Sequence, residues 1–171
     1  ANAIGKKGKV YVSNTIPGIS TTDQREEGFK IAMTNYPDIE VLETQFNDDD
    51  ANKASAQVNA VVVRAPDLVG IFGANLFSAI GAADGVKSMG KSGEIKVVAF
   101  DAPTRIVDDL KSGLIDMAIA QHPAEIGYMG VMVAYGHVTD NPVPVSIGTG
   151  FTVMTADNID DPAISKYVYS D

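Results

Sequence analysis

Short apolar runs alternate with longer stretches of helical spacing along the whole chain, and this alternation most constrains the fold. The predicted strands cover residues 9–14, 39–46, 68–73, 95–100 and 117–120. The predicted helices cover residues 22–35, 50–64, 77–89, 104–112 and 123–138. Because the predicted strands are almost continuously apolar, we expect them to be buried on both faces. The pattern therefore predicts an α/β fold in which helices flank a parallel, doubly wound sheet.

Local residue types indicate where these elements begin and end. Thr21 or Thr22 is expected to cap the first helix, because a threonine hydroxyl can accept a hydrogen bond from a backbone N–H. Gly90 and Gly113 lie where the third and fourth helices are expected to stop, since glycine readily adopts left-handed backbone. Residues 145–154 are expected to form one last strand, interrupted by two glycines.

Charge and composition exclude several classes of function. The chain has 13 Lys and Arg against 22 Asp and Glu, so its net charge is −9. Nucleic acid is not an expected partner, because phosphate binding needs clustered basic residues. The absence of Cys excludes disulfides and thiolate chemistry. No stretch approaches the roughly 18 apolar residues of a membrane span.

Polar side chains follow the predicted strands at one edge of the sheet. Asn75 comes after the third strand, Asp101 after the fourth and Gln121 after the fifth. Arg25 lies near the start of the helix that follows the first strand. Ligands of a doubly wound sheet bind beyond the carboxyl ends of its strands. Since these planar groups can form paired hydrogen bonds with hydroxyls, the sequence predicts a site for a small sugar or polyol.

The sequence carries no recognisable signal for catalysis, a cofactor or a metal. It has no poised Ser-His pair, and both GxxxxGK(S/T) and GxGxxG are missing, so we expect a non-enzyme without a cofactor. Residues 48–50 are three aspartates, but they lack the spaced oxygen ligands and closing Glu of a calcium loop. We expect these aspartates to form a solvated loop that caps a helix. His122 and His137 lie too far apart for a zinc site.

Each predicted site residue also has a purely structural interpretation. Asp101 and Asn75 could each cap the helix that follows them. Arg25 could form a weak surface ion pair with a neighbouring carboxylate, and Gln121 could be an ordinary loop residue. Their shared chemistry at one edge of the sheet favours a binding site over four separate structural roles.

Six short segments carry a family resemblance. They are GKVYVSNTIPG at 8–18, REEGF at 25–29, IFGANLFSAIGA at 71–82, IKVVAFD at 95–101, IAQHPAEIGY at 119–128 and VMTADNID at 153–160. In this order they resemble the type I periplasmic binding proteins, in particular the ribose-binding-like solute receptors of ABC transporters. The resemblance implies a substrate-binding component with a membrane permease as partner. It also implies a periplasmic location, or an extracellular one with a membrane anchor.

The resemblance further implies which residues contact the sugar. The sugar-contacting positions of the family fall on Arg25, Asn75, Asp101 and Gln121. An aromatic contact that some relatives place after the second strand has no clear match, and Asp48 or Asp49 lies near there instead. This departure leaves pentose, hexose and polyol open as ligands.

Members of this family have two lobes with the ligand between them. The resemblance implies that residues 1–121 form the C-terminal ligand-binding lobe and that 145–171 form its return strand and tail. Residues 122–144 would be a crossover helix that belongs to a missing N-terminal lobe, so the chain is expected to be a fragment. That helix is then expected to pack on the remaining lobe, to pack on another copy, or to move freely.

Two other classes of protein share this type of fold. Sugar-responsive transcription regulators use it as a sensing core, although residues 152–160 look more like the transport receptors. An enzyme of the flavodoxin-like or Rossmann kind is a third alternative, which the missing phosphate loop disfavours. Fold alone does not assign function.

Overall fold

One mixed sheet forms the centre of the computed structural model, which describes residues 1–169. The sheet has seven strands in the order β2-β1-β4-β5-β6-β7, and β3 also pairs with β1. The strands are β1 Gly8–Asn14, β2 Ile39–Val41, β3 Gln45–Phe46, β4 Leu68–Gly73, β5 Lys96–Phe100, β6 Met117–Gln121 and β7 Phe151–Met154. Neighbouring strands are parallel, except that β7 is antiparallel to β6. The predicted α/β class with a mostly parallel sheet is confirmed.

Helices follow most of the strands and return the chain along the faces of the sheet. Within the described residues they are α1 Ser20–Met33, α2 Ala51–Arg64, α3 Leu76–Ser88, α4 Thr104–Lys111, α5 Pro123–Val138 and α6 Pro162–Ser165, after a 3₁₀ turn at Asn2–Ile4. The two glycines expected to end helices do so, since Gly90 has φ 68° and Gly113 has φ 75°. The expected threonine cap of α1 is wrong. Ile19 precedes α1 without a side-chain cap, and the Thr22 hydroxyl donates to its carbonyl oxygen.

The sheet buries apolar side chains on both faces, as the continuous apolar runs predicted. On one face, Tyr11 and Val97 pack in a cluster with residues of α2, α3 and α4. On the other face, Phe72 stacks on Phe29 of α1 with 5.2 Å between ring centroids. Alternate side chains of the same strands therefore stabilise two separate helical layers.

Helices α2 and α3 approach each other unusually closely, because glycine lines part of their contact. A Cβ atom added at Gly81 would lie 2.4 Å from the carbonyl oxygen of Ala51 and 2.4 Å from the Cβ of Ala54. One at Gly85 would lie 2.9 Å from Val58. Only a residue without a side chain permits this approach.

The strand predicted at residues 39–46 is in fact two strands. Val41 pairs with Val10, and Gln45 pairs with Ser13 further along β1. Between these two pairs, residues 42–44 lie opposite only residues 11–12 of β1. The extra residue interrupts the hydrogen-bond ladder between the strands. The interruption turns Thr44 inward, where its hydroxyl donates to Glu26.

Helix α5 and the segment after it differ from the rest of the molecule in their exposure. No residue of α5 is buried, and its exposed apolar side chains include Tyr128 at 63% and Val138 at 75%. The strand predicted over residues 145–154 is wrong for its first part, because only Phe151–Met154 is a strand. None of the described helices is long and apolar enough to cross a membrane.

Filling the contact between α2 and α3 is expected to destabilise the fold. Gly81→Ala should lower the free energy of unfolding by about 1–3 kcal/mol, because the added methyl collides with backbone. In the control Gly28→Ala, the new methyl meets no atom within 4 Å in helix α1. The control should raise stability by about 0.5–1 kcal/mol through helix propensity. Urea unfolding of both variants measures this, and equal stability of the two would contradict the close approach.

Candidate functional site

The four predicted site residues lie along the carboxyl-terminal edge of the sheet. Asn75 precedes α3 just after β4, Asp101 directly follows β5, and Gln121 is the last residue of β6. Arg25 reaches the same edge from α1. All four are partly exposed, so a ligand can reach them. The structure brings Arg25, Asp101 and Gln121 into one group and places Asn75 beside it.

Arg25 is held by contacts at the ends of two neighbouring strands, β4 and β5. Its Nη1 donates to the carbonyl oxygen of Ala74 over 2.9 Å. Its guanidinium lies over the Phe100 ring, 3.7 Å from the centroid. Burial lowers the pKa of Arg25, while the nearby Asp101 carboxylate opposes that shift. The ion pair considered above as an alternative for Arg25 does not form, and the guanidinium keeps further N–H donors for a ligand.

Asp101 adopts a backbone conformation that is uncommon for a residue with a side chain. Its φ is 80°, and its N–H donates to the carbonyl oxygen of Ile119 over 2.9 Å. Its Oδ1 accepts a 2.6 Å hydrogen bond from Nε2 of Gln121. Pro103, not Asp101, is the residue that precedes α4, so the capping alternative for Asp101 is wrong. A non-glycine residue at positive φ is a reason to suspect a functional role.

Asn75 combines a structural role with a site role. Its Oδ1 accepts from the Ser78 N–H over 3.0 Å and so caps α3, as the structural alternative proposed. Its Nδ2 donates to Oδ1 of Asp49 over 2.6 Å. Because the cap occupies only the amide oxygen, the amide nitrogen of Asn75 can still face a ligand together with Asp49.

The structure separates the three aspartates after β3. Asp48 forms an ion pair with Lys53, and Asp50 caps α2 by accepting from two backbone N–H groups. Asp49 alone turns toward Asn75. Within residues 1–169, no group of three or more His, Asp or Glu is placed to hold a metal ion. The capping loop expected from the sequence is therefore present at Asp50.

The buried Asn47 connects the loop after β3 to the interior of the molecule. Nδ2 of Asn47 donates to the hydroxyls of Ser13 and Ser78, over 3.1 and 2.7 Å, and its Oδ1 accepts from the Asp49 N–H. Asn47 is fully buried. The position of Asp49 is thus tied to β1 and α3 rather than to a free loop.

Glu26 anchors the helix that carries Arg25, a role that its place in the REEGF segment did not indicate. Its carboxylate accepts from Asn14 and Thr44, each over 2.6 Å, and also pairs with Lys30. Burial alone would raise the pKa of Glu26, but the hydrogen bonds from these three groups outweigh burial and lower it. The first turns of α1 are therefore fixed to β1 and to the loop before β3.

Two aromatic residues that the sequence analysis did not assign to the site lie beside it in the structure. Phe100 supports Arg25, and its position directly before Asp101 was the only sequence signal for it. The Tyr169 hydroxyl accepts from the Ala102 N–H over 3.2 Å. Burial, reinforced by the charge of Asp101, raises the pKa of Tyr169 to about 12.

Comparison with known proteins gives one family and several relatives. A family model described as a periplasmic binding protein domain matches residues 1–142. The ribose import binding protein of Haemophilus influenzae is 32% identical over 151 residues, which cover 86% of this chain and 51% of that protein. The D-ribose/D-allose-binding protein of Pseudomonas aeruginosa is 31% identical over 70% of this chain and 38% of that protein. The chain spans about half the length, or less, of these relatives.

Solved structures are similar over nearly the whole chain. An ABC transporter solute binding protein from Agrobacterium vitis, bound with α-D-tagatopyranose, is 64% identical with a TM-score of 0.98. The match covers 100% of this chain and 57% of that one. Another solute binding protein from Agrobacterium vitis, with bound D-fucose, is 27% identical with a TM-score of 0.93, over 98% of this chain and 58% of that one.

The lowered pKa of Glu26 predicts a pH-dependent contribution to stability. A depressed carboxyl pKa stabilises the fold above the unfolded pKa of about 4.3, and that stability is lost as pH falls through the folded pKa. Glu26→Gln should therefore lower the thermal midpoint at pH 7, and the deficit should shrink toward pH 3. Thermal melts between these pH values test this, with the exposed Glu27→Gln as control. A deficit that does not vary with pH would contradict the assignment.

Proposed function

The chain belongs to the periplasmic binding protein family, and from this premise we propose that it is the sugar-binding lobe of an ABC transporter solute receptor, not an enzyme. The observation that carries the proposal is the joined group of Arg25, Asp101 and Gln121 at the open edge of the sheet. The 64% identity to a solute binding protein with bound tagatopyranose supports it.

The chemistry of the group suits a monosaccharide. Each sugar hydroxyl can donate one hydrogen bond and accept others. The Asp101 carboxylate accepts, the Arg25 guanidinium donates, and the amides of Asn75 and Gln121 can do either. A site built to bond hydroxyls rejects analogues that lack them, because its polar groups are then left unpaired.

Asp49 rather than Asp48 extends the site in this proposal. Asp49 is joined to Asn75, whereas the Asp48 carboxylate is engaged by Lys53. Asp49 and Asn75 together offer an acceptor and a donor next to each other, as Asp101 and Gln121 do. Two such carboxylate–amide pairs on one edge can each bind a hydroxyl by both donating and accepting.

A hexose in its pyranose form is the proposed first ligand to test. The similar structure at 64% identity is described with bound α-D-tagatopyranose, and more distant relatives are described with fucose, allose or ribose. The other hexoses, the pentoses and the polyols remain in the proposed range because their hydroxyls present the same chemistry.

The proposed partners follow from the two-lobe architecture of the family. A second lobe would close over the edge and exclude water from the sugar. The apolar side chains on α5, with no residue of that helix buried, support the proposal that residues 122–144 pack against that second lobe. Residues 1–121 and 145–171 would then form the lobe described above. A membrane permease is the proposed recipient of the sugar, and a periplasmic location accompanies this role.

A sugar-sensing core of a transcription regulator is the alternative with the same fold. The relatives described above are import and solute binding proteins, which favours the receptor. An export signal or a DNA-binding domain encoded upstream of this sequence in its gene would distinguish the two classes.

A binding panel tests the proposed function directly. The thermal midpoint of the full-length gene product is measured with D-tagatose, other hexoses, pentoses and polyols. A ligand that binds only the folded state adds about 2.7 kcal/mol of stability at a hundred times its Kd. Asp101→Ala should abolish the shift, while Asp108→Ala on the exposed side of α4 should keep it. A flat panel for the folded wild-type protein would refute the sugar-binding proposal.

The assignment of Asp49 is tested by a matched pair of variants. Asp49→Asn should weaken binding of the best sugar by about tenfold or more, since hydrogen bonds to charged groups contribute about 1.5–3 kcal/mol. Asp48→Asn removes the same charge one residue away and should leave the Kd within about twofold. Calorimetric titration of both variants decides between them, and equal effects would mean that only the net charge matters.

A further inference from the structure

We propose that His122 is a positioning residue of the receptor, because its ring fastens the start of α5 to the sheet in the arrangement in which the sugar is bound. The inference rests on the proposed function and deepens it. It gives a role to a histidine that the sequence analysis considered only as a zinc ligand.

Helix α5 leaves the sheet at the end of β6, and the chain returns to the sheet at the start of β7. Gln121, the last residue of β6, pairs with Phe151, the first residue of β7. His122 and Gly150 are therefore the next residues along the two crossing segments. Since no residue of α5 is buried, packing on the sheet does not set the direction of this helix. The crossing segments have to set it.

The backbone and the side chain of His122 serve different elements. Its carbonyl oxygen accepts a 2.9 Å hydrogen bond from the Ile126 N–H, which begins the hydrogen-bond series of α5. Its side chain makes no capping bond to α5. Instead, Nε2 shares a 2.8 Å hydrogen bond with the Thr152 hydroxyl on β7. One residue thus starts α5 and is bonded to the strand through which the chain returns.

Two further neighbours fix the plane of the His122 ring. Tyr167 stacks on the ring, with 3.7 Å between centroids and 7° between planes. Tyr167 itself packs against the larger apolar cluster, so the stack connects His122 to the interior of the molecule. Gly150 passes close beside the ring, since a Cβ atom added there would lie 3.3 Å from Cε1 of His122. The φ of 77° at Gly150 also favours glycine.

The direction of α5 in this structure matches that in a sugar-bound receptor. The solute binding protein with bound α-D-tagatopyranose aligns with 100% of this chain, α5 included, at a TM-score of 0.98. Because α5 does not pack on the sheet, this similarity means that both chains leave β6 at nearly the same angle. The contacts of His122 therefore accompany the sugar-bound arrangement.

A contact of this kind raises affinity through the population of the bound arrangement. Opening the two lobes would turn the backbone at residue 122 and carry its ring away from Thr152. The hydrogen bond and the stack then favour the closed state over the open one. The apparent affinity for a ligand rises with the fraction of protein in the binding-competent state. His122 acts on the sugar in this way without touching it.

The test is calorimetric titration of the full-length gene product with D-tagatose as the first probe. Thr152→Val removes one hydroxyl, leaves the ring in place and should raise the Kd about threefold. His122→Ala also removes the stack and should raise the Kd about tenfold. In the control, Thr34→Val removes an exposed hydroxyl that bonds within its own helix, at the opposite end of α1 from Arg25, and should leave the Kd unchanged.

Stopped-flow kinetics separates this role from a general loss of stability. Both variants should release D-tagatose faster and bind it at an unchanged rate, because the contact of His122 forms as the lobes close. In the His122→Ala background, Thr152→Val should have no further effect, since the hydroxyl has already lost its partner. A lower thermal midpoint of the unliganded protein with an unchanged Kd would show a purely structural role and overturn the inference.

The comparison of Thr152→Val with Thr34→Val decides the matter if His122→Ala does not fold. An unchanged Kd in Thr152→Val, or slower association with unchanged dissociation, overturns the inference and leaves the proposed function standing. A wild-type protein that binds no monosaccharide in the panel refutes the proposed function itself.

Discussion

The parallel alignment of β1, β4, β5 and β6 is the constraint on which the rest of the structure depends. In a parallel sheet, each strand must be followed by a crossover, and every strand therefore ends at the same edge. Asn75, Asp101 and Gln121 each stand at or just after the end of a strand, so the topology makes them neighbours. The close packing of α2 on α3 at Gly81 joins the helices that precede and follow β4.

The side chains at this edge are ordered by partners within the chain itself. Arg25 is fixed by a backbone carbonyl and by the Phe100 ring, Asn75 by its capping bond, and Asp101 by Gln121. Groups that are already ordered lose less conformational entropy when a ligand binds. The buried Asn47 extends this order to the loop that carries Asp49. This edge of the sheet thus has a preorganised polar surface rather than a set of independent mobile side chains.

Helix α5, unlike the elements of the sheet edge, has no packing partner that buries its residues. The sheet buries its apolar residues on two faces, but α5 has none buried and exposes residues such as Val131 at 69% and Tyr135 at 64%. Soluble proteins rarely leave large contiguous apolar patches exposed. The contrast between a well-packed lobe and an unpaired helix is the physical reason for assigning α5 to contact with a second lobe in the proposed receptor.

The sequence by itself determined the structural features that depend only on residues close together along the chain. The apolar run of β4 predicted its strand to the residue, and Asn75, Asp101 and Gln121 were found because they follow strands directly. The tertiary structure alone decided which of Asp48 and Asp49 faces Asn75, how β2 and β3 divide, and that Glu26 and Tyr169 support the site. The Tyr169 hydroxyl accepts a hydrogen bond from Ala102, which is 67 residues away in sequence. Such contacts carry no local pattern, because hydrogen-bond partners are chosen by the packing of whole elements and not by spacing in sequence.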